Sequence, residues 1–267
     1  MSGTFILLKY IYGYDTIFVR PHHHHALLYV FVLFIFVLQI SYTSLKSKNF
    51  IFNKIYRMTV TIFGATGLVG TALVKQCLYN GHQVRAFGRN MHTLDVPEQP
   101  ELELYTGAVF DEAQVLKAVK GADVVLSALG GGTDGTDHSR SLGIKNILNQ
   151  MEKAGVKRIV ALGGAGVLPI DEEGKLLMNA EFFPPALLPV SREHEKAFTT
   201  LAESSSQWTM LCPPAITDTE ATGSFNVQKE GLPTPNNNSI SKGDVALFML
   251  KESLENKYVH ARVGISN

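Results

Sequence analysis

Residues 58–267 alternate between short apolar runs and stretches with apolar residues three and four apart. Thr59–Phe63 (TVTIF) reads as a strand, Gly64–Gly70 as a glycine turn, and Leu68 to Tyr79 as a helix stopped at Asn80-Gly81. Gln83–Phe87 is a second strand and Leu102–Tyr105 a weaker third. Asp111 is placed to cap a helix that runs through Val119. Asp123–Leu129 (DVVLSAL) is the most apolar run, as expected of a central strand. A long helix is predicted from Ser139 to Ala154, ended by Gly155, followed by a fifth strand at Lys157–Leu162. A Pro- and Gly-rich loop covers 163–190. Arg192 to Ala202 reads as helix, Gln207–Cys212 as the sixth strand and residues 213–240 as a long loop. Lys242–Leu254 is helical with Asp244 in its first turn, and Tyr258–Val263 is a closing strand.

Strands separated by helices of this length require right-handed crossovers and a parallel sheet. The predicted fold class is α/β: a single Rossmann-like, doubly wound parallel sheet spanning 58–267, preceded by a hydrophobic N-terminal segment. No fixed-period repeat is visible, which argues against a solenoid.

Residues 1–57 differ in kind. They hold 13 of the 25 aromatic residues and one acid, Asp15, against six bases. The 20 residues Ala26 to Leu45 carry no formal charge, and as a helix they would span ~30 Å, one hydrocarbon core. Four bases after this run and two before it would leave the following domain on the cytoplasmic side. Two readings stay open: a membrane anchor at 26–45, or an upstream extension absent from the mature protein. His22 to His25 read as low-complexity sequence.

Charge narrows the partners. The whole chain is neutral, with 24 basic and 24 acidic residues. Residues 58–267 keep 18 basic against 23 acidic, a net of −5. Neither balance predicts a nucleic-acid partner. Cys77 and Cys212 are too few for a disulfide framework or a Cys-based zinc site. Nothing in the sequence sets an oligomeric state.

The glycine turn carries the chemistry. Gly64-Ala65-Thr66-Gly67-Leu68-Val69-Gly70 is G-x-x-G-x-x-G between a strand and a helix. Gly64 permits a tight exit, Gly67 lets backbone amides approach a diphosphate, and Gly70 lets the helix pack on the sheet. The helix N-terminus then offers N–H groups and a positive dipole end to phosphate. An NAD enzyme usually ends its second strand in Asp or Glu. Here Ala86-Phe87-Gly88-Arg89-Asn90 has no acid, and Arg89 is placed to pair with a 2′-phosphate. NADP is therefore expected over NAD, with NAD still possible. Arg85 is a weaker candidate. Ligands bind at the carboxyl ends of parallel strands, which nominates Ala108 and Val109 near adenine, Ala128, Leu129 and Gly130 near the riboses, and Gly163 and Gly164 near the nicotinamide.

His194 is the best ionisable candidate for catalysis, with an ordinary pKa of ~6.5 suited to proton exchange. Ser127, at the end of the fourth strand, follows. His138 could touch cofactor or substrate, while Asp137 beside it suits a helix start, and Cys212 suits strand packing. Phe182, Phe183 and Phe225 would either offer a flat surface to an aromatic acceptor or fill the core.

GATGLVG, GADVVLSALG, KNILNQMEKAGVKRIVALGG, SREHEKAFTTLAESSSQWTMLCPP and ISKGDVALFML together resemble the atypical short-chain dehydrogenase/reductases of the NAD(P)H-binding, NmrA-like kind, over about 58–265. Within that group the chain is similar to the biliverdin IXβ reductase/flavin reductase type. The resemblance implies a single-domain Rossmann fold that uses NADPH to reduce a small acceptor. Members of the wider group bind the cofactor and act as redox sensors without turnover, which is the alternative expectation. Residues 58–267 contain no Tyr-x-x-x-Lys, the proton-donating pair of classical members. The positions of the substrate-side Ser and His of the flavin reductase type match Gly164 and Ala215, and the Asp near adenine matches Ala108, so the resemblance does not fix the acceptor.

Overall fold

The structure is a computed structural model that describes residues 57–267. The expected anchor at 26–45 and the rest of the N-terminal extension lie outside the described residues.

An eight-stranded sheet runs through the domain in the order β3-β2-β1-β4-β5-β6-β10-β8. Its strands are β1 (Thr59–Phe63), β2 (Gln83–Gly88), β3 (Leu102–Thr106), β4 (Val124–Ser127), β5 (Arg158–Leu162), β6 (Gln207–Cys212), β8 (Asn226–Lys229) and β10 (Ala261–Ser266). All neighbours are parallel except β8, which joins the β10 edge antiparallel. The order reverses between β1 and β4, which makes the carboxyl ends of those strands the place where a crevice opens.

Period-two alternation gives the central strands two buried faces, while the edge strands β3 and β8 stay partly exposed. Val60 and Ile62 of β1 point into one apolar layer with α1 (Leu68–Tyr79) and α5 (Lys242–Glu255). Phe63, Val125 and Ile159 point into the other, with α2 (Glu112–Val119), α3 (Ser139–Ala154) and α4 (Leu188–Glu203). Each fully buried Val, Ile or Phe contributes about 1.5–3 kcal/mol relative to exposure. Thr61, buried among them, donates from its hydroxyl to the Ala118 carbonyl at 2.8 Å, so the sheet carries no orphaned hydroxyl there.

Helix starts and stops follow the sequence signals. The Asp111 carboxylate accepts from the Gln114 amide at 2.9 Å, and the Ser241 hydroxyl from that of Asp244 at 2.9 Å. Gly155 ends α3 at a φ of 72°. Arg158 forms a 2.8 Å ion pair with Glu252 at the opposite end of β5 from the crevice, where both side chains are buried.

The structure departs from the sequence reading mainly after residue 162. α4 starts at Leu188 rather than Arg192, with Pro189 in its first turn, where a missing N–H costs nothing. The 213–240 stretch is not all loop. β7 (Ala215–Thr217) pairs with β9 (Ser239–Ser241), and β8 covers the edge of β10. The closing strand begins at Ala261, because His260 adopts a φ of 58° and turns the chain. Among the described residues, no helix is long and apolar enough to cross a membrane.

Candidate functional site

The glycine turn is dictated by close backbone approach. Gly64 leaves β1 at a φ of 75°, and a Cβ there would sit 2.8 Å from the Ala128 carbonyl carbon across the β1–β4 step. Gly70 lies where α1 crosses the strand exit, and its Cβ would fall 2.7 Å from the Gly64 carbonyl carbon. The Gly67 amide donates to the Gly64 carbonyl at 3.0 Å and caps α1 with backbone alone. The next amides, of Leu68, Val69 and Gly70, meet no protein acceptor among the described residues. They form a cluster of free donors at a positive helix end, the chemistry that holds a phosphate.

A cleft of about 480 Å³ opens above this turn. Gly64, Thr66, Gly67, Leu68, Val69, Arg89, Ala108, Val109, Ala128, Leu129, Gly130, Gly163 and His194 all line it. Ala65 and Gly70 do not; Ala65 is fully buried behind the turn, and Gly70 is the helix contact. Ser127 is 1 % exposed inside β4 and is not part of the lining. The two arginines of β2 and its end separate cleanly. Arg89 is exposed in the cleft, with no protein partner among the described residues. Arg85 is spent on structure: it donates to the carbonyls of Lys120 at 2.7 Å and Ala118 at 3.3 Å and lies 3.7 Å from Glu103.

At the β5 side of the cleft, Ser139, Arg140, Leu162, Gly163, His194 and Ile216 come together. The His194 ring packs over Gly164, whose Cβ would lie 3.1 Å from it. The ring is half-buried: Nδ1 is sealed from solvent with no partner, although the residue still borders the cleft. Burial, then the nearby Arg140 charge, lower its pKa to about 4, against a weaker opposing pull from Glu193. His194 is therefore neutral at physiological pH, a hydrogen-bonding group rather than the neutral-range acid its ordinary pKa promised. Glu193 itself faces away. Burial alone would raise its pKa, but Lys196 at 2.8 Å, Ser141 at 2.6 Å and His138 at 3.0 Å hold it at about 2.

The remaining candidates are structural. The Asp137 carboxylate accepts from the Ser139 amide at 2.8 Å and the Gly132 amide at 3.1 Å, shaping the start of α3. His138 is held by Glu193. Phe225 packs edge-on against Phe248, Phe183 lies under the Gly166 turn, and Phe182 is 76 % exposed; none lines the cleft. Burial pushes the Cys212 thiol up to about 12, so it packs as an inert apolar group. Sequence reasoning missed Arg140 and Phe110. Both face the cleft, but Arg140 reads as one of many helix-start residues and Phe110 as a loop residue.

A family model described as NAD(P)H-binding matches residues 64–256. The chain belongs to the NAD(P)H-binding family. The uncharacterized protein YwnB of Bacillus subtilis is 27% identical over 201 residues, covering 73% of this chain and 92% of YwnB. The crystal structure of a candidate epimerase from Bacteroides thetaiotaomicron is 27% identical with a TM-score of 0.69, covering 79% of this chain and 97% of that one. A candidate NADH-flavin reductase from Streptococcus pneumoniae shares the fold at 24% identity and a TM-score of 0.68, covering 79% and 99%.

The residues of this NAD(P)H-binding chain fit the nucleotide its family is named for. Side chains at positions 64 and 70 would close the turn, the three free amides suit a diphosphate, and the cleft runs from there toward both Arg89 and His194.

Proposed function

We propose that the chain is an NADPH-dependent oxidoreductase that reduces a small planar acceptor, flavin- or quinone-like, by hydride transfer. The observation that carries the nucleotide preference is Arg89. It is the cationic side chain at the end of β2, and among the described residues it faces the cleft without a protein partner and no carboxylate lines the cleft. An adenosine 2′-phosphate would give its guanidinium a charge-assisted partner.

The bound nucleotide would supply a hydride, so that NADPH, acceptor and one proton become NADP⁺ and the reduced acceptor. The chain's own residues position and select. The α1 amides and Gly67 hold the diphosphate, Val109 and Ala108 border the adenine end, and Ala128, Leu129 and Gly130 border the riboses. Gly163 leaves open the floor beside β5, and His194 offers a neutral hydrogen-bonding ring there. Among the described residues, the lining contains no Tyr, Lys or carboxylate to donate a proton. That suits acceptors whose reduced forms take their proton from water, and it disfavours alcohol–ketone chemistry. The same absence supports a second reading, a nucleotide-binding sensor with little turnover.

The test uses the full chain in mild detergent. NADPH consumption is followed against FMN, riboflavin, quinones, biliverdin and simple aldehydes, with Kd values for NADPH and NADH measured in parallel. Turnover with a planar acceptor supports the reductase, and tight binding without turnover shifts the weight to the sensor. Arg89→Ala should weaken NADPH about tenfold, the low end for an exposed charge-assisted bond, and leave NADH nearly unchanged. Equal losses for both nucleotides would refute the role of Arg89, and binding of neither would refute both readings.

A further inference from the structure

The described domain is acidic overall, yet its cleft is lined by two arginines and no carboxylate. Arg89 stands at the β2 end. Arg140 stands at the other end, in the first turn of α3, and is only 9 % exposed. Its guanidinium donates to the Gly132 carbonyl at 2.9 Å and the Gly131 carbonyl at 3.1 Å. Those partners are neutral. The two nearest acids are turned to other work: Asp137 to the amides of Ser139 and Gly132, Glu193 to Ser141, Lys196 and His138. Arg140 forms no ion pair among the described residues. A guanidinium has five donors and does not give up its proton in a protein, so a nearly buried charge borders the cleft with donors left over. Asp137 and Glu193 offset this charge through space without pairing with it, and an anion that reaches the remaining donors gains a charge-assisted bond.

Position decides which anion. The diphosphate has its own receptor in the free amides of α1, under the β1–β4 step. Arg140 acts on His194, whose ring lies over Gly164 just beyond β5. In the sheet order β2-β1-β4-β5, that corner is three strands from Arg89, on the order of 14 Å.

We propose that the planar ligand taken at the β5 end of the cleft is an anion, bearing a carboxylate or a phosphate, and that Arg140 reads its charge with the His194 ring alongside. The inference rests on the reductase reading for what happens to that ligand, but the charge preference is measurable without turnover.

The experiment compares matched pairs on the full chain: FMN with riboflavin for phosphate, and a naphthoquinone carboxylate with menadione for carboxylate. Flavin binding is titrated by fluorescence with and without saturating NADP⁺, and kcat/KM is measured for all four with NADPH. The wild type should favour the anionic member of a pair by about tenfold or more, as expected of a charge-assisted bond. Arg140→Met should bring the preference to near unity, read as the ratio within each pair so that any shared loss of binding cancels, and Arg140→Lys should retain part of it. The Lys variant also guards against a Met variant that fails to fold.

Four results would overturn the proposal: no preference in the wild type, equal loss of both pair members and NADPH in Arg140→Met, a preference that follows Arg89→Ala instead, or an FMN preference abolished by NADP⁺. Absence of turnover with an Arg140-dependent preference would sink the reductase reading and uphold the anion site.

Discussion

The neutral state of His194 makes a quantitative prediction about folding. Its pKa falls from an ordinary 6.5 to about 4 through burial and the charge of Arg140, with Glu193 pulling weakly the other way. The unfolded chain therefore takes up this proton first. Stability is full above about pH 6.5 and is lost as the pH falls through 6.5 toward 4. Between about pH 7.5 and pH 5 the linkage amounts to about 2 kcal/mol, and the full loss below pH 4 is about 3.4 kcal/mol. His194→Gln keeps a polar side chain but removes the titration, so its unfolding free energy should lose about 2 kcal/mol less than the wild type over the same interval. His82, also lowered by burial, contributes equally to both proteins and cancels. Glu193, held at about 2, contributes stability that is present above the ordinary carboxylate range and is lost only as the pH falls from there toward 2, below the window. Trp208, the single tryptophan, is 5 % exposed between Phe198 and His260, so its fluorescence in urea titrations reports the fold of the domain. Parallel pH profiles for wild type and variant would show that the ring is not held neutral, and the account of this corner would fail.

Two further substitutions test the supports of the site. Gly70→Ala places a methyl against the Gly64 carbonyl group, where the atoms met are backbone and cannot rotate away. It should cost about 3 kcal/mol in urea unfolding and weaken both nucleotides together. Asp244 is buried and accepts from Ser241, Asn267, Gly223 and Thr222, bonds that lower its pKa against the burial that raises it. Asp244→Ala should cost about 3 kcal/mol and make the 219–224 loop the first site cut by protease, whereas a cut elsewhere would refute its role as the anchor of that loop.

The first half of the domain was legible because its signals are local. TVTIF, GATGLVG and the Asn80-Gly81 stop specify β1, the turn and α1 with their own residues, and the observed bounds of Thr59–Phe63 and Leu68–Tyr79 match the reading. Most of the cleft lining followed from the rule that strand ends carry the ligand. What was not legible depends on partners distant in sequence. β7 is a strand only because β9, more than twenty residues on, pairs with it, and β8 exists as the antiparallel cover of β10. His194 was found from its residue type, but its protonation depends first on burial and then on the charge of Arg140, and both come from the fold. Arg140 carries no pattern of its own. Its signal is that its guanidinium bonds the Gly131 and Gly132 carbonyls rather than a carboxylate, and only the folded arrangement displays that.

The character of this cleft follows from what is missing as much as from what is present. Among the described residues, His194 is the single titratable residue in the lining apart from its two arginines, and it stays neutral down to a pH of about 4. On the proposed reading, an acceptor that needs a proton delivered by the protein would find no donor poised near neutrality. An acceptor whose reduced form collects its proton from water has no such need, and for it the demand on the protein reduces to proximity and orientation. Two fixed cations in an otherwise acidic domain can supply both, because each draws an anionic group to one end of the cleft. The same pair of charges would then set nucleotide choice at the β2 end and acceptor choice at the β5 end. Arg89 and Arg140 should therefore be separable by mutation even though they line one cavity.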